Sequence, residues 1–195
     1  MTVISIIDYG AGNLKSIENA LKKVGAEAAV VSTVANADAL VLPGVGNFSD
    51  AMQKLAPIKQ DILDGISSGK PFLGLCLGLQ TLFEGSDEAP GVDGFGMING
   101  NCAKFTEGKV PHMGWNQLSS VKGSLFDGIK DGENFYFVHS YYAPVVEETT
   151  AVCNYGVDFS AAVQKDNVFA CQFHPERSGE AGLKVLENFV KEVKR

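Results

Sequence analysis

One short segment of the sequence has the form expected of a catalytic nucleophile. In GLCLG (74–78) a cysteine stands between two glycines, at the end of an apolar run and ahead of a helical stretch. A sharp strand-to-helix turn leaves no room for a Cβ on either side and lifts the middle side chain out of the core. The helix N-terminus favours a negative charge there, and the N–H of Leu77 faces the place where an oxyanion would form. The pattern predicts that Cys76 is a nucleophile.

A second segment supplies a base for that nucleophile. In the tripeptide His174-Pro175-Glu176, an extended chain projects the imidazole and the carboxylate to the same side, so that Glu176 can orient His174. Pro175 is expected to exclude helix at this point. The tripeptide alone also fits an ordinary strand end. Together with the cysteine motif it predicts a triad of Cys76, His174 and Glu176.

The remaining cysteines have a simpler interpretation. Cysteine is among the residue types most often buried, so we interpret Cys102, Cys153 and Cys171 as packing residues. The four cysteines are widely spaced and form no CxxC pair, which favours neither a zinc site nor a disulfide framework. We expect no metal and no cofactor, and reduced thiols in the cytoplasm.

Two glycine-rich segments complete the set of motifs. In PGVG (43–46), free N–H groups after a strand can face a developing negative charge, although an ordinary strand-to-helix turn has the same appearance. No Gly-Lys-Ser/Thr follows, so a phosphate loop is excluded. DYGAGN (8–13) lacks the third glycine of a dinucleotide-binding fingerprint.

The elements that position these motifs predict an α/β fold. The apolar runs predict strands at 2–8, 26–32, 39–44, 70–76, 134–145, 150–156, 160–166 and 168–174, and the periodicity predicts helices at 13–25, 49–69, from about 77, and at 180–195. Strands and helices alternate in the first half, which is typical of a parallel sheet. We predict one domain over residues 1–195, with an open, mostly parallel central sheet flanked by helices and an added antiparallel portion.

Composition excludes several classes of partner. The chain has 195 residues, 45% of them hydrophobic, which suits a folded domain. Its net charge of −7 argues against nucleic acid or an anionic membrane as the main partner. The sequence has no apolar run near the roughly 20 residues of a spanning helix, and its start does not resemble a signal peptide.

The order and spacing of PGVG, GLCLGLQ and HPE resemble the class I glutamine amidotransferases over nearly the whole chain. The resemblance implies that Cys76 attacks the side-chain amide of glutamine while His174 takes the thiol proton and passes one to the departing ammonia. It places the N–H groups of Leu77 and Val45 at the oxyanion. By the same resemblance, glutamine would be bound by Gly46, Gln80, Glu88, Ser140 and Tyr141.

Three further segments narrow the resemblance. DYGAGN, PHMGWNQL (111–118) and FVHSYY (137–142) are similar to the glutaminase subunits that serve histidine biosynthesis. Those subunits imply a heterodimer with a separate (β/α)₈-barrel cyclase, which uses the ammonia to make imidazole glycerol phosphate and AICAR. Asn13, Trp115 and Arg177 match positions near that interface. Residue chemistry alone gives no role for PHMGWN, whose tryptophan is equally suited to a core.

Other functions share part of this pattern. Another class I glutaminase, such as the one of pyridoxal phosphate synthesis, would have the triad but should lack PHMGWN. A cysteine hydrolase or redox-sensing protein also places its nucleophile on such a turn, but PGVG and HPE argue against it. A catalytically inactive scaffold is the non-enzymatic alternative, and the filled triad gives it no support.

Overall fold

The structure is a computed structural model that describes residues 3–34 and 37–195. Its strands are β1 (Val3–Ile7), β2 (Glu27–Val31), β3 (Ala39–Leu42), β4 (Phe72–Leu75), β5 (Phe83–Ser86), β6 (Ile98–Lys104), β7 (His112–Gln117), β8 (Asn134–His139), β9 (Tyr141–Tyr142), β10 (Thr149–Asn154), β11 (Asp158–Lys165) and β12 (Val168–Cys171). Its α-helices are α1 (Leu14–Lys23), α2 (Phe48–Leu55), α3 (Lys59–Ser67), α4 (Leu77–Gln80) and α5 (Gly179–Val193). Thr2, the first residue of the first predicted strand, lies outside the described residues.

A seven-stranded sheet in the order β10-β11-β12-β4-β3-β1-β2 forms the centre of the molecule. The five strands from β12 to β2 are parallel, β11 pairs antiparallel with β12, and β10 pairs antiparallel with β11. The predicted α/β class, with a mostly parallel sheet and an antiparallel portion, is confirmed. Because β3, β4 and β12 are neighbours, the three motifs that follow them meet at one edge of the sheet.

Apolar side chains cover both faces of the sheet. On one face, Ile4 and Val41 pack in a core with α1 and α5. On the other, Leu40 and Leu42 pack with α2 and α3. Strands buried on both faces need apolar residues at successive positions, which explains their continuous hydrophobic runs.

Three predicted elements are divided or shortened in the structure. The helix predicted over 49–69 is interrupted by a 3₁₀ turn at Ala56–Ile58, where Pro57 lacks the N–H that a continuous helix requires. The helix predicted from about Leu77 is a single turn followed by β5. The strand predicted over 134–145 forms β8 and β9, which join different sheets.

The second half of the chain adds small sheets beside the central one. β7 and β8 form an antiparallel hairpin, and β5, β6 and β9 form a three-stranded sheet. Among the residues described, no helix combines the length and the apolar character needed to cross a membrane.

Candidate active site

Cys76 lies at the sharp turn between β4 and α4, in a backbone conformation rare for a side-chain-bearing residue. Its φ is 55° and its ψ −106°, and such a conformation costs roughly 1–3 kcal/mol. A Cβ at Gly74 would lie 2.6 Å from the carbonyl oxygen of Gly78, and a Cβ at Gly78 would lie 2.0 Å from that of Leu42. The predicted reason for the two flanking glycines is confirmed.

His174 and Glu176 form a buried pair just beyond the end of β12. The imidazole Nδ1 lies 2.9 Å from the carboxylate Oε1. The prediction that Pro175 excludes helix is wrong, because residues Pro175–Arg177 form a 3₁₀ turn. Proline is tolerated at the first position of a helix, where its missing N–H has no partner to lose. The turn, rather than an extended chain, brings the carboxylate back to the imidazole.

The neighbours of His174 favour its protonated form. Burial lowers the pKa of the imidazole, but Cys76 and then Glu176 outweigh burial and raise this pKa to about 10. The other ring nitrogen, Nε2, is buried and has no hydrogen-bond partner among the described residues. A protonated imidazole with a free Nε2–H beside a sulfur is suited to donate a proton to a leaving group.

A cavity of about 320 Å³ opens beside the sulfur of Cys76. The structure places around it all of the residues predicted to bind glutamine and to hold the oxyanion: Val45, Gly46, Leu77, Gln80, Glu88, Ser140 and Tyr141. Pro111, Val138 and His139 complete its wall. A cavity of this size suits a small metabolite.

The polar residues of this cavity are held by hydrogen bonds. The carboxylate of Glu88 accepts the N–H of Phe48 at 2.8 Å. The amide nitrogen of Gln80 donates to the carbonyl of Tyr141 at 2.8 Å and to Oε1 of Gln172 at 3.0 Å. Gln172 in turn donates from Nε2 to the sulfur of Cys76 at 3.5 Å. These hydrogen bonds fix the orientation of the Glu88, Gln80 and Gln172 side chains.

The two predicted oxyanion donors do not face the cavity together in this conformation. The N–H of Leu77 donates to the carbonyl of Gly44 at 3.3 Å. Because a trans peptide holds its C=O and N–H on opposite sides, the N–H of Val45 points away from Leu77. A rotation of the peptide between Gly44 and Val45 would free the first donor and turn the second one inward.

Two of the three predicted interface residues lie in one exposed cluster. The guanidinium of Arg177 stacks on the ring of Tyr136 at 4.1 Å, and Trp115 meets the same ring edge-on at 6.1 Å. Trp115 is 57% exposed, so it is not a core residue. Asn13 is exposed immediately before α1.

Sequence reasoning missed several residues of the site. Gln172 is fully buried and contacts the sulfur of Cys76, but a glutamine within an apolar run carries no signal of its own. His112 and His139 are adjacent in the β7–β8 hairpin and their side chains are hydrogen-bonded at 3.0 Å. The segment PHMGWN did carry a signal for His112, because a strand that alternates between its two faces places His112 on the side opposite to Met113 and Trp115.

The sequence profile described as glutamine amidotransferase class-I matches residues 5–193. The chain belongs to the class I glutamine amidotransferases. A relative from Methanothermobacter thermautotrophicus, named imidazole glycerol phosphate synthase subunit HisH, is 54% identical over 98% of this chain and 100% of its own length. A relative of the same name from Thermococcus kodakarensis is 50% identical over 96% of this chain and 98% of its own length.

Solved structures agree with membership of this amidotransferase family at the level of the fold. PurLQS from Thermotoga maritima superimposes with a TM-score of 0.77 at 20% identity and covers 98% of each chain. A glutamine amidotransferase from the same organism gives a TM-score of 0.68 at 16% identity, covering 100% of this chain and 84% of its own.

Proposed function

We propose that this amidotransferase is the glutaminase subunit of an imidazole glycerol phosphate synthase. The proposal rests on one observation: about half of the residues of this chain are identical to those of relatives with that name, over nearly the entire length of each relative. The cavity beside Cys76, and the pair of His174 and Glu176 in which the imidazole interacts with Cys76, support glutamine hydrolysis as the reaction. We take residues 1–195 as one glutamine amidotransferase domain.

The reaction begins with attack of the Cys76 sulfur on the amide carbon of glutamine. The carbonyl oxygen becomes an oxyanion, held by the N–H groups of Leu77 and Val45 once the Gly44 carbonyl has turned away. His174 donates its proton to the amide nitrogen, which leaves as ammonia, and a thioester remains on the sulfur. His174 then accepts a proton from water as the water attacks the thioester, and glutamate departs.

Charge decides how glutamine would lie in the cavity. Glu88 supplies a carboxylate to the wall, which suits the α-ammonium group of the substrate. Gly46, Gln80, Ser140 and Tyr141 also line this cavity, and we assign them to contacts with the rest of the glutamine molecule. With the ammonium group at Glu88, the side-chain amide would be left for Cys76.

The ammonia is proposed to pass to a partner rather than to water. Ammonium formed in water at neutral pH has no lone pair for attack, so a separate (β/α)₈-barrel cyclase in a heterodimer would receive ammonia directly. That cyclase would make imidazole glycerol phosphate and AICAR in histidine biosynthesis. Trp115 and Arg177 lie in an exposed aromatic cluster of the kind enriched at interfaces, and we assign Asn13 to the same interface. The four free cysteines, all buried, support a cytoplasmic location.

The test replaces the nucleophile. Cys76→Ala should lower glutamine hydrolysis by several orders of magnitude, because the covalent path is lost. The cyclase reaction of the heterodimer should still proceed on added ammonium salts. Cys153→Ala, a change at another buried cysteine, is the matched control and should retain hydrolysis. Near wild-type hydrolysis by Cys76→Ala would contradict the assignment of the nucleophile, and a complex that formed no product from glutamine or from ammonium would contradict the pathway.

A further inference from the structure

The segment PHMGWN (111–116) has an inner and an outer face in the structure. Along β7, side chains alternate between the two sides of the hairpin. His112 is buried and Asn116 is partly buried beneath the hairpin, whereas Met113 and Trp115 are exposed by 62% and 57%. The outer pair suits a protein interface. The inner pair takes part in a hydrogen-bonded chain that leads to the nucleophile.

Hydrogen-bond polarity fixes the direction of this chain. His139 Nδ1 lies 2.8 Å from the carbonyl oxygen of Tyr141, which can only accept, so Nδ1 carries the proton. His139 Nε2 then has a lone pair and accepts from Nδ1 of His112 at 3.0 Å. His112 Nε2 accepts in turn from the amide nitrogen of Asn116 at 3.3 Å. Each ring is held in one tautomer by its neighbour.

Burial keeps both rings neutral, as this pattern requires. Phe137 and Tyr155 stack on the ring of His112, with centroids 5.0 Å and 4.1 Å away. Burial lowers the pKa of His112 to about 4 and that of His139 to about 3. At neutral pH neither ring carries the second proton that would break the chain.

The chain continues from Tyr141 to the sulfur. The Tyr141 carbonyl also accepts from Nε2 of Gln80, so that amide must turn its nitrogen toward the carbonyl. The same nitrogen donates to Oε1 of Gln172, which leaves Nε2 of Gln172 facing the sulfur of Cys76 at 3.5 Å. If the side-chain amide of Gln80 were reversed, the amide of Gln172 would have to reverse as well, and it would then present its oxygen to the sulfur of Cys76.

We propose that His112 and His139 are positioning residues for Cys76: the Tyr141 carbonyl that they hold sets the orientation of two glutamine amides and keeps an N–H donor on the sulfur. A hydrogen bond from an amide stabilises a thiolate, and an amide oxygen in its place destabilises it. The proposal rests on the proposed role of Cys76 as nucleophile. It assigns to PHMGWN a positioning role on its inner face.

The experiment measures the reactivity of Cys76 toward iodoacetamide across pH, in the full chain, together with kcat and KM for glutamine in the complex. His139→Leu removes both ring nitrogens. We expect alkylation of Cys76 at neutral pH to slow about tenfold and its pH profile to move upward, with kcat reduced. His139→Asn keeps a donor near the position of Nδ1 and should recover most of the alkylation rate.

A double-mutant cycle tests whether His139 acts through Gln172. Gln172→Leu removes the donor itself and should slow alkylation at least as much as His139→Leu. The double variant should be no slower than Gln172→Leu alone. Additive effects would overturn the proposal, and so would a His139→Leu variant whose alkylation profile matches the wild type. If His139→Leu does not fold, Gln172→Leu with wild-type alkylation would overturn it equally.

A packing control separates hydrogen bonding from the fit of the rings. Phe105 packs against both imidazoles, with centroids 6.1 Å and 5.2 Å away, and its ring makes no hydrogen bond in the chain. Phe105→Leu should leave the alkylation profile of Cys76 unchanged, and a shift equal to that of His139→Leu would contradict the proposal. Alkylation of Cys76 needs no glutamine, so it can be measured even in a chain that has no glutaminase activity. If such a chain and its variants showed the predicted alkylation profiles, only the proposed function would be contradicted.

Discussion

At the scale of single residues, environment rather than residue type separates Cys76 from the other three cysteines. All four thiols are buried. Burial raises the pKa of Cys102 and Cys171, and raises that of Cys153 to about 12, so these three remain protonated and inert. Cys76 alone among them lines the cavity and lies beside a protonated imidazole.

This difference predicts selective labelling. A diazo-ketone analogue of glutamine should modify Cys76 well before Cys102, Cys153 or Cys171, because reactivity follows thiolate fraction and access. Peptide mapping by mass spectrometry after partial reaction measures the order. First labelling at any of the other three would contradict the assignment of the nucleophile.

The titration of His174 gives a second prediction at this scale. Its pKa of about 10 lies above the ordinary value of 6.5, so the stabilisation from its charged form is complete below about pH 6.5 and is lost as the pH rises toward 10. The Cys76→Ala substitution removes the group that raises the pKa of His174 most. Glu176 alone then opposes the effect of burial, so the midpoint of the His174 titration should fall to a lower pH. Proton NMR of the imidazoles follows this directly, because His112 and His139 stay neutral above about pH 5.

The outcome that would contradict this is a His174 titration near 6.5 in the wild type, or the same midpoint in both forms. Glu176→Gln serves as the matched variant, since it removes the second charged partner and should lower the midpoint less than loss of Cys76 does.

At the scale of elements, the site is a product of strand order. β3, β4 and β12 are neighbours, and each ends in one of the three motifs. The Cys76 N–H donates to the carbonyl of Cys171 at 2.8 Å, which ties the strained turn to the end of β12. The His174 N–H donates to the Tyr136 carbonyl at 2.9 Å, which ties the base to the hairpin. Backbone hydrogen bonds between elements thus hold Cys76 and His174 in place.

The turn at Cys76 predicts a steric requirement at Gly78. Gly78→Ala would place a Cβ 2.0 Å from the Leu42 carbonyl oxygen, so β3 and the turn must separate. We expect the free energy of unfolding to fall by about 3 kcal/mol or more and hydrolysis to be lost. Urea unfolding monitored by circular dichroism measures the free energy of unfolding, and the release of glutamate measures hydrolysis.

Gly65→Ala is the control for this change. The added Cβ would lie 3.1 Å from Cδ1 of Leu40, the end of a flexible side chain, and alanine favours the helix α3 by about 1 kcal/mol. Its stability should remain within about 1 kcal/mol of the wild type. Equal losses in the two variants would mean that the turn has no special steric demand.

At the scale of the whole molecule, the conformation of the loop at 43–46 predicts control by the partner. With the Gly44 carbonyl bonded to the Leu77 N–H, the proposed oxyanion site lacks its donors. Loss of one such donor typically lowers turnover by about 10²–10³. We hypothesise that the isolated chain is nearly inactive and that the cyclase with its nucleotide ligand favours the rotated peptide.

Turnover in three states tests this control: the chain alone, the heterodimer, and the heterodimer with the nucleotide ligand. We expect turnover of the heterodimer with the nucleotide ligand to exceed that of the chain alone by a factor of about 10²–10³. Such a factor requires a coupling free energy of roughly 3–4 kcal/mol. The change should appear in kcat more than in the KM for glutamine. Equal turnover in all three states would mean that the loop is not a switch.

Local sequence alone determined the elements and the motifs of this protein. The alternation of strands and helices and the glycines around Cys76 follow from short-range sterics and periodicity, which the sequence expresses directly. Element ends were less accurate where one proline changes the backbone, as at Pro57 and Pro175.

Tertiary structure decided what depends on residues distant in sequence. The contact of Gln172 with the sulfur, the pairing of His112 with His139 and the bond between Leu77 and Gly44 each join separate elements. No local pattern encodes them, because hydrogen-bond partners are set by strand order and register. The protonated state of His174 has the same origin, since burial and neighbouring charge exist only once the chain has folded.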